Sequence, residues 1–393
     1  MAISIFNIIL IFLLFTNALF LVVLSYTNHF KKRKITKYPF ISFIVPSYND
    51  SKTIEKSIRG VFDSYDKSNF ELFVINDCSK DNTLDILNEI KKKYPIKIIN
   101  NLKNLGKSQS INNTFSKTKG EIIFIVDSDI VINKIVVDDM ISRFNNNPKI
   151  GGLSARYESV NKGFLSSMIN LQNNLMVVFN TAHNYSSNIS MAGGCSAIKR
   201  NVFEEVGMLS TNVISEDSDI AMKINEQGYK VEQTLYAVQV YEVTTLKSLY
   251  KQQFRWTSGY FQCFFKHWKT YFKNPIFDLF FTIGILSIIA SILSYVITRP
   301  IIFNFPYHVF VFYSQRFSLT NLFIGFVIYP LFSIPNLLWG IKKWEREYWH
   351  FLLIYPFSLI YLPFWIFMII LGFFVGSYKY FTLKEHDVGW KEG

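Results

Sequence analysis

The chain has 393 residues, with 41 Lys and Arg against 29 Asp and Glu, a formal charge of +12; 50% of it is apolar and only 18% charged. That apolar content excludes disorder and a collagen-like repeat, and the length excludes a small secreted scaffold. Cys78, Cys195 and Cys263 are too few for a disulfide framework and lack the spacing of a metal knuckle. A basic balance suits nucleic acid, an anionic membrane face or a phosphate-bearing substrate, and the placement of the charges separates these.

Met1 to Asn28 carry no charge, and Ala2 to Leu24 are long enough to cross about 30 Å of hydrocarbon. Lys31-Lys32-Arg33-Lys34 follow at once, the reverse of the order in a signal peptide. Residues 1–27 therefore read as a transmembrane anchor with its basic flank in the cytosol. Residues 38–240 have ordinary composition and alternate strands with helices. Ile41 to Val45 is a strand, Thr53 to Val61 a helix, Glu71 to Ile75 a strand, Asn82 to Lys92 a helix and Ile96 to Ile99 a short strand. Glu121 to Val126 is almost wholly apolar, as a central parallel strand should be. This is βαβ order, and polar residues gather past the strand ends, where open α/β sheets bind ligands. Gly152 to Asn188 is amide-rich and aromatic-poor and has no firm assignment. Its Asn-x-Ser sequons at Asn184 and Asn188 are expected to stay unused in a cytosolic domain.

Residues 241–275 read as an amphipathic interfacial region. No acidic residue occurs from Val243 to Phe277, while Lys247, Lys251, Arg255, Lys266, Lys269 and Lys273 interleave with aromatic residues. Residues 276–378 read as a C-terminal transmembrane region of about three helices, Leu279 to Thr298, Phe317 to Gly340 and Phe351 to Tyr378, before a polar tail over 379–393. Pro300 to Gln315 reads as an external hairpin or a further crossing. The basic loop around Lys342 and Lys343 and the belt of Trp339, Trp344 and Trp349 fit the cytosolic face. The expectation is a multi-pass cell-membrane protein with a lipid-bilayer partner and no nucleic acid, its positive charge lying at the membrane.

Asp127 and Asp129 leave the end of a buried strand two residues apart. Such a pair can hold Mg²⁺ or Mn²⁺ against diphosphate oxygens, the alternative being a solvated turn. Asp77 ends the preceding strand, where a carboxylate can accept a base N–H or close an Asx turn, with Asp81 the better helix cap. Ser47, Tyr48 and Asp50 follow the first strand. Lys107 opens a helix, where it meets a phosphate or stays solvated. Glu216-Asp217 precede the helical run from Ile220 to Gln227, with Ser215 as a cap; they are a base for an attacking hydroxyl or a solvated helix start. Gln252-Gln253-Phe254-Arg255-Trp256 offers an Arg to a diphosphate and a Trp to a sugar face.

Taken together these motifs resemble the membrane-bound family 2 glycosyltransferases of the cellulose, chitin, hyaluronan and poly-N-acetylglucosamine synthase-like group. The order carries the resemblance: Val45-Pro46-Ser47-Tyr48-Asn49-Asp50, Asn76-Asp77-Cys78-Ser79, Asn104-Leu105-Gly106-Lys107, Asp127-Ser128-Asp129, Gly193-Gly194-Cys195, Glu216-Asp217 and the Q-x-x-R-W run at Gln252 to Trp256. The resemblance covers about Ile41 to Tyr260 and implies an α/β fold: a GT-A, Rossmann-like, mostly parallel sheet in a catalytic domain, plus transmembrane helices. It implies a metal-dependent, inverting transfer of N-acetylglucosamine or glucose from a UDP-sugar to a growing β-linked polysaccharide. Single-sugar transfer to a membrane lipid or polyprenyl-phosphate-type acceptor is the alternative. In the implied roles Ser47, Tyr48, Asp50, Asp77 and Lys107 surround the nucleotide, with Asp127 near nucleotide and donor sugar, and Gln252 and Arg255 hold the diphosphate. Asp129 and Asp127 hold Mg²⁺ or Mn²⁺, Gly194, Cys195 and Trp256 meet the glycan or lipid acceptor, and Asp217, beside Glu216, is the base. Asn76-Asp77 stands where an Asp-Asp pair is commoner. An oligomer or a secretion partner stays open.

Overall fold

The computed structural model describes residues 33–66, 68–184, 186, 187, 190–273 and 360–382, together with 23, 24 and 27. Eight strands form one sheet: β1 (Ile41–Ser47), β2 (Phe70–Asn76), β3 (Ile96–Asn100), β4 (Ile122–Val126), β5 (Ile130–Val131), β6 (Ile150–Ser159), β7 (Cys195–Lys199) and β8 (Lys230–Val240). Their order is β3-β2-β1-β4-β7-β6-β8-β5. The β1/β2, β1/β4, β2/β3 and β6/β8 pairs are parallel, whereas β7 runs antiparallel to both β4 and β6. The expected GT-A-like α/β sheet is therefore present, parallel in its first half and mixed in its second.

β1, β2 and β4 are buried along their whole length, because helices cover both faces of the sheet. One face receives α1 (Ile54–Ser64), α2 (Thr83–Lys91) and α4 (Lys134–Asn146); the other receives α3 (Lys107–Phe115), α6 (Arg200–Glu205) and α7 (Glu216–Glu226). α1 shows why these segments are helical: Ile54, Ile58, Val61 and Phe62 recur at helical spacing and all are buried. Each such side chain contributes about 1.5–3 kcal/mol on burial. Arg143 on α4, only 2% exposed, pairs with Asp139 at 2.7 Å and Glu232 of β8 at 2.9 Å, tying the helix to the sheet. The long segment without a firm assignment folds as β6 and then α5 (Phe164–His183), which packs over β6 and β8.

The C-terminal part corrects the membrane expectation. Among the described residues no helix is long and apolar enough to cross a membrane. Transmembrane helices, a multi-pass cell-membrane location, a membrane-bound class and a lipid-bilayer partner are all withdrawn on that finding. The proposed spans at Ala2 to Leu24 (except Val23 and Leu24), Leu279 to Thr298 and Phe317 to Gly340 lie outside the described residues, as do Pro300 to Gln315, the loop around Lys342 and the three-Trp belt. The described end of the run from Phe351 to Tyr378 forms α10 (Leu362–Thr382) and packs on α8 (Leu246–Lys266), which the short α9 (Trp268–Lys273) follows. A Cβ at Gly376 would lie 2.6 Å from the Ser258 carbonyl, so the two backbones nearly touch. Phe373 stacks edge-on against Phe261 at 5.3 Å. An apolar run reads the same whether protein or lipid covers it, and here α8 covers one side.

In the basic stretch before it, Leu249, Gln253, Thr257, Ser258, Gln262 and Cys263 form the buried side of α8, set against α7 and α10.

Candidate active site

A cavity of about 580 Å³ opens at the junction of the sheet edge, α5, α7 and α8. It collects Lys107, Asp127, Asp129, Gly194, Glu216, Asp217, Gln252, Arg255 and Trp256 from positions spread over 150 residues of sequence. Asp127 follows directly on β4, whose Ile125 pairs with Ile44 of β1, so the loops after both strands reach the same edge. Q-x-x-R-W sits within α8, and its spacing of three and four puts Gln252, Arg255 and Trp256 on one helix face. Arg255 is exposed at the cavity rim with no ion pair among the described residues.

Lys107 is the hub. Its Nζ lies 2.7 Å from Asp127 Oδ1 and 3.0 Å from Glu216 Oε1, and it donates to the Gly193 carbonyl at 3.3 Å. Burial works against the Lys107 charge, but the two carboxylates hold its pKa above the usual lysine value. Burial also works to raise Glu216, yet Lys107 outweighs it and keeps that carboxyl below its ordinary range. Asp217 has no such partner. Burial pushes it up to about 7, with the Glu216 charge adding and Lys107 opposing. α7 starts at Glu216, four residues before the run expected from sequence, so both acids occupy its first turn. The Ser215 side chain makes no capping bond there; instead Ser218 N–H donates to Asp217 Oδ1 at 2.7 Å. Gly193 faces this carboxylate so closely that a Cβ would sit 2.6 Å from Asp217 Oδ2.

Asp129 resembles Asp217 in its imbalance. Burial raises its pKa to about 7, and Asp127, Asp50 and Glu242 add to the effect. No hydrogen bond or ion pair reaches its carboxylate among the described residues. A divalent cation fits such a position, because it would offset the crowded negative charge and use oxygen donors. Among the described residues no group of three His, Cys, Asp or Glu side chains converges as a cage. The protein would then supply at most the two aspartates, the other ligands coming from substrate and water.

The remaining expected residues lie elsewhere. Asp77 is 1% exposed, and its carboxylate accepts from Asn101 Nδ2, Leu105 N–H, Gly106 N–H and Ser110 Oγ at 2.7–3.0 Å. Those bonds anchor the loop that delivers Lys107. Asp81 accepts from Thr83 N–H at 3.0 Å, but the N-cap position falls to Asn82, so Asp81 closes an Asx-type turn one residue ahead of the cap expected of it. Ser47 is buried and donates to the Ile75 carbonyl at 2.8 Å. Asp50 accepts from Tyr48 N–H at 2.8 Å and Ser128 Oγ at 2.6 Å, which ties the loop after β1 to the loop after β4; burial still leaves its pKa raised. These four residues do not line the cavity, nor does Cys195, whose side chain is fully buried in the core under β7.

Sequence reading missed Tyr157, Glu242 and one side of α5. Gly194 N–H donates to the Tyr157 hydroxyl at 2.5 Å, fixing the glycine turn beside Asp217. Glu242 is buried near Asp129, and burial raises its pKa. Gln172, Asn173, Met176 and Asn180 line the cavity from α5. The amides Gln172, Asn173 and Asn180, at spacings of one and eight on one helix face, were the available signal.

Residues 42–207 match the sequence model of the family described as Glycosyl transferase family 2. The chain is 24% identical over 390 residues to "Probable glycosyltransferase YdaM" of Bacillus subtilis (strain 168), covering 91% of this chain and 87% of that one. It is also 24% identical over 245 residues to the poly-beta-1,6-N-acetyl-D-glucosamine synthase of Staphylococcus aureus (strain COL), covering 61% of this chain and 59% of the relative. Among solved structures, the mannosyltransferase PcManGT from Pyrobaculum calidifontis, in complex with GDP-Man and Mn2+, superposes with a TM-score of 0.59 at 18% identity, over 87% of this chain and 100% of that chain. That likeness is one of fold. The family match spans residues 42–207, less than half of the chain, and the solved structure adds a likeness of fold.

Proposed function

We propose that the chain transfers N-acetylglucosamine or glucose from a UDP-sugar to a growing β-linked polysaccharide, in one inverting displacement. The observation that carries the reading is Asp217: a carboxyl raised to about 7, beside a Lys107–Glu216 ion pair and inside a cavity with a solvent-open Arg255 at its rim. A general base works best with its pKa near the working pH. The likeness to the Staphylococcus aureus poly-beta-1,6-N-acetyl-D-glucosamine synthase supports an N-acetylglucosamine polymer.

In this reading the acceptor hydroxyl gives its proton to Asp217 as its oxygen bonds to the anomeric carbon. The bond from that carbon to the diphosphate oxygen breaks, and UDP leaves with the electron pair. Arg255 meets the diphosphate as a planar, permanent cation. Trp256 offers its ring to the acceptor sugar. Asp129 and Asp127 would hold Mg²⁺ or Mn²⁺, which when bound offsets charge on the leaving diphosphate. Lys107 keeps Glu216 ionised, and that charge helps hold Asp217 ready to accept a proton. Asp77, Asp50 and Ser47 act at the nucleotide end mainly by shaping the loops that carry Lys107 and Ser128.

The test is UDP release and product mass with UDP-N-acetylglucosamine, UDP-glucose and GDP-mannose, each with Mn²⁺, with Mg²⁺ and with chelator. Transfer from a UDP-sugar, loss on chelation and a ladder of products are expected. One added sugar would replace the polymer reading with single transfer. Absence of transfer from every donor, or an Asp217→Asn variant as active as the parent, would sink the proposal.

A further inference from the structure

The cavity does not stop at the catalytic carboxylate. It continues under α5 to a wall built from six amides: Gln172, Asn173 and Asn180 of α5, Gln233 of β8, and Gln252 and Gln253 of α8. Met176 and Trp365 supply apolar surface alongside them. Glu242, a carboxylate of the same lining, accepts from Gln252 Nε2 at 3.4 Å.

Two of the amides are fully engaged. Gln172 and Gln253 exchange hydrogen bonds at 3.2 and 3.3 Å, and the Tyr361 hydroxyl donates to Gln172 Oε1 at 2.6 Å. The exchange ties α5 to α8, and Tyr361, the residue before α10, adds a third support. Gln233 is different. Asn184 pins its backbone in both directions at 2.8 Å, accepting from its N–H and donating to its carbonyl. Its Nε2 donates to the Ala155 carbonyl at 3.1 Å. The side chain is 4% exposed and rigidly held, yet Oε1 has no hydrogen-bond partner. Gln252 Oε1 is likewise buried without a partner. Buried carbonyl acceptors ask for a donor. A sugar hydroxyl is one, whereas a phosphate offers only acceptor oxygens and would also face Glu242.

We propose that this amide wall is a subsite for a neutral glycosyl unit, the one preceding the acceptor unit at Asp217. It rests on the glycosyltransferase reading and deepens it: the acceptor is an oligosaccharide held over at least two units, not a sugar phosphate. Met176 and Trp365 cover the apolar face of that unit, while Gln233 takes its hydroxyls together with Gln252, whose unpartnered atom is an acceptor and so suits a hydroxyl rather than the diphosphate expected from the resemblance. Neutral amides suit a chain that must shift after each addition, since they hold it without ionic bonds.

Tryptophan fluorescence and calorimetry, with UDP and Mn²⁺ present, test this on the full chain. The probes are mono-, di- and trisaccharides of β-linked N-acetylglucosamine and of glucose, with N-acetylglucosamine 1-phosphate as the charged alternative. The disaccharide of at least one series should bind about tenfold or more tighter than its monosaccharide, consistent with a second set of sugar contacts. Gln233→Leu should lose most of that gain. Asn180→Ala, at a partly exposed position, should lose a smaller part and guards against a misfolded Gln233 variant; thermal melting checks both. Equal affinity for mono- and disaccharide in both series overturns the subsite, as does an undiminished gain in folded variants or tighter binding of the sugar phosphate. A parallel UDP titration keeps the two claims apart. Failure to bind UDP removes the glycosyltransferase reading, while length dependence without UDP still reports on the amide wall.

Discussion

Asp217 and Asp219 stand two residues apart on α7, yet their surroundings push them in opposite directions. Asp219 is fully buried but accepts from Ser210 Oγ and Lys266 Nζ at 2.5 Å and lies 3.0 Å from His267 Nε2. Burial alone would raise its pKa; His267, Lys266 and Ser210 outweigh burial and hold it well below the ordinary carboxylate range. His267 also meets Glu226 at 2.8 Å, so this cluster clamps α7 to the end of α8. Asp217 points into the cavity with one backbone N–H and no cation of its own, and is raised to about 7. One helix thus carries a carboxylate whose partners are complete and one whose partners are not. The difference lies in whether the protein itself completes the partner set. Asp129 belongs with Asp217 in this respect.

The comparison can be broken from either side. The largest effect is expected from Asp217→Asn, with kcat falling about 10²–10⁴-fold. Because its pKa is raised in the fold, native Asp217 favours the protonated form and costs stability as pH rises from about 4 through about 7. The Asn variant should therefore melt no lower than the parent at pH 8. Asp219→Asn should do the opposite. Its depressed pKa contributes stability above about pH 4 that is lost as acid protonates it. Replacing it leaves Lys266 and His267 facing a neutral amide, a cost of roughly 3 kcal/mol in denaturant melts. The surviving folded enzyme should keep its pH limb.

That limb sharpens the contrast further. Activity should rise with pH through about 7 as Asp217 loses its proton. Glu216→Gln removes a charge that raises Asp217, so the limb should move to lower pH; Lys107→Met removes one that lowers it, so the limb should move higher. Unmoved limbs in both variants would exclude Asp217 as the titrating base. The smallest effect is expected from Tyr157→Phe, which leaves Gly194 N–H without its acceptor. About 1 kcal/mol of stability should be lost, with acceptor KM affected more than kcat.

Much of this was legible from residue pattern. The buried strands announced themselves as apolar runs, and α1 as a helix by its spacing. Asp127, Asp129 and Lys107 were found because they follow strand ends or open a helix. The membrane reading failed because a hydrophobic run carries no record of what covers it, and α10 lies against α8. Asp77 illustrates a subtler limit. Its position at a strand end is visible in sequence, but the four donors on its carboxylate come from residues 24 to 33 positions away.

Local order along the chain thus determined the βαβ scaffold, the place of the acids at strand ends, and the shared helix face of Gln252, Arg255 and Trp256. These follow from periodicity and backbone geometry within a few residues. Only the tertiary structure decided which acid is satisfied and which is not. That outcome depends on Lys107 crossing to Glu216, on Lys266 and His267 reaching Asp219, and on α5 closing the cavity with amides. A carboxylate's chemistry is set by the charges and water around it, and in this chain those come from distant segments.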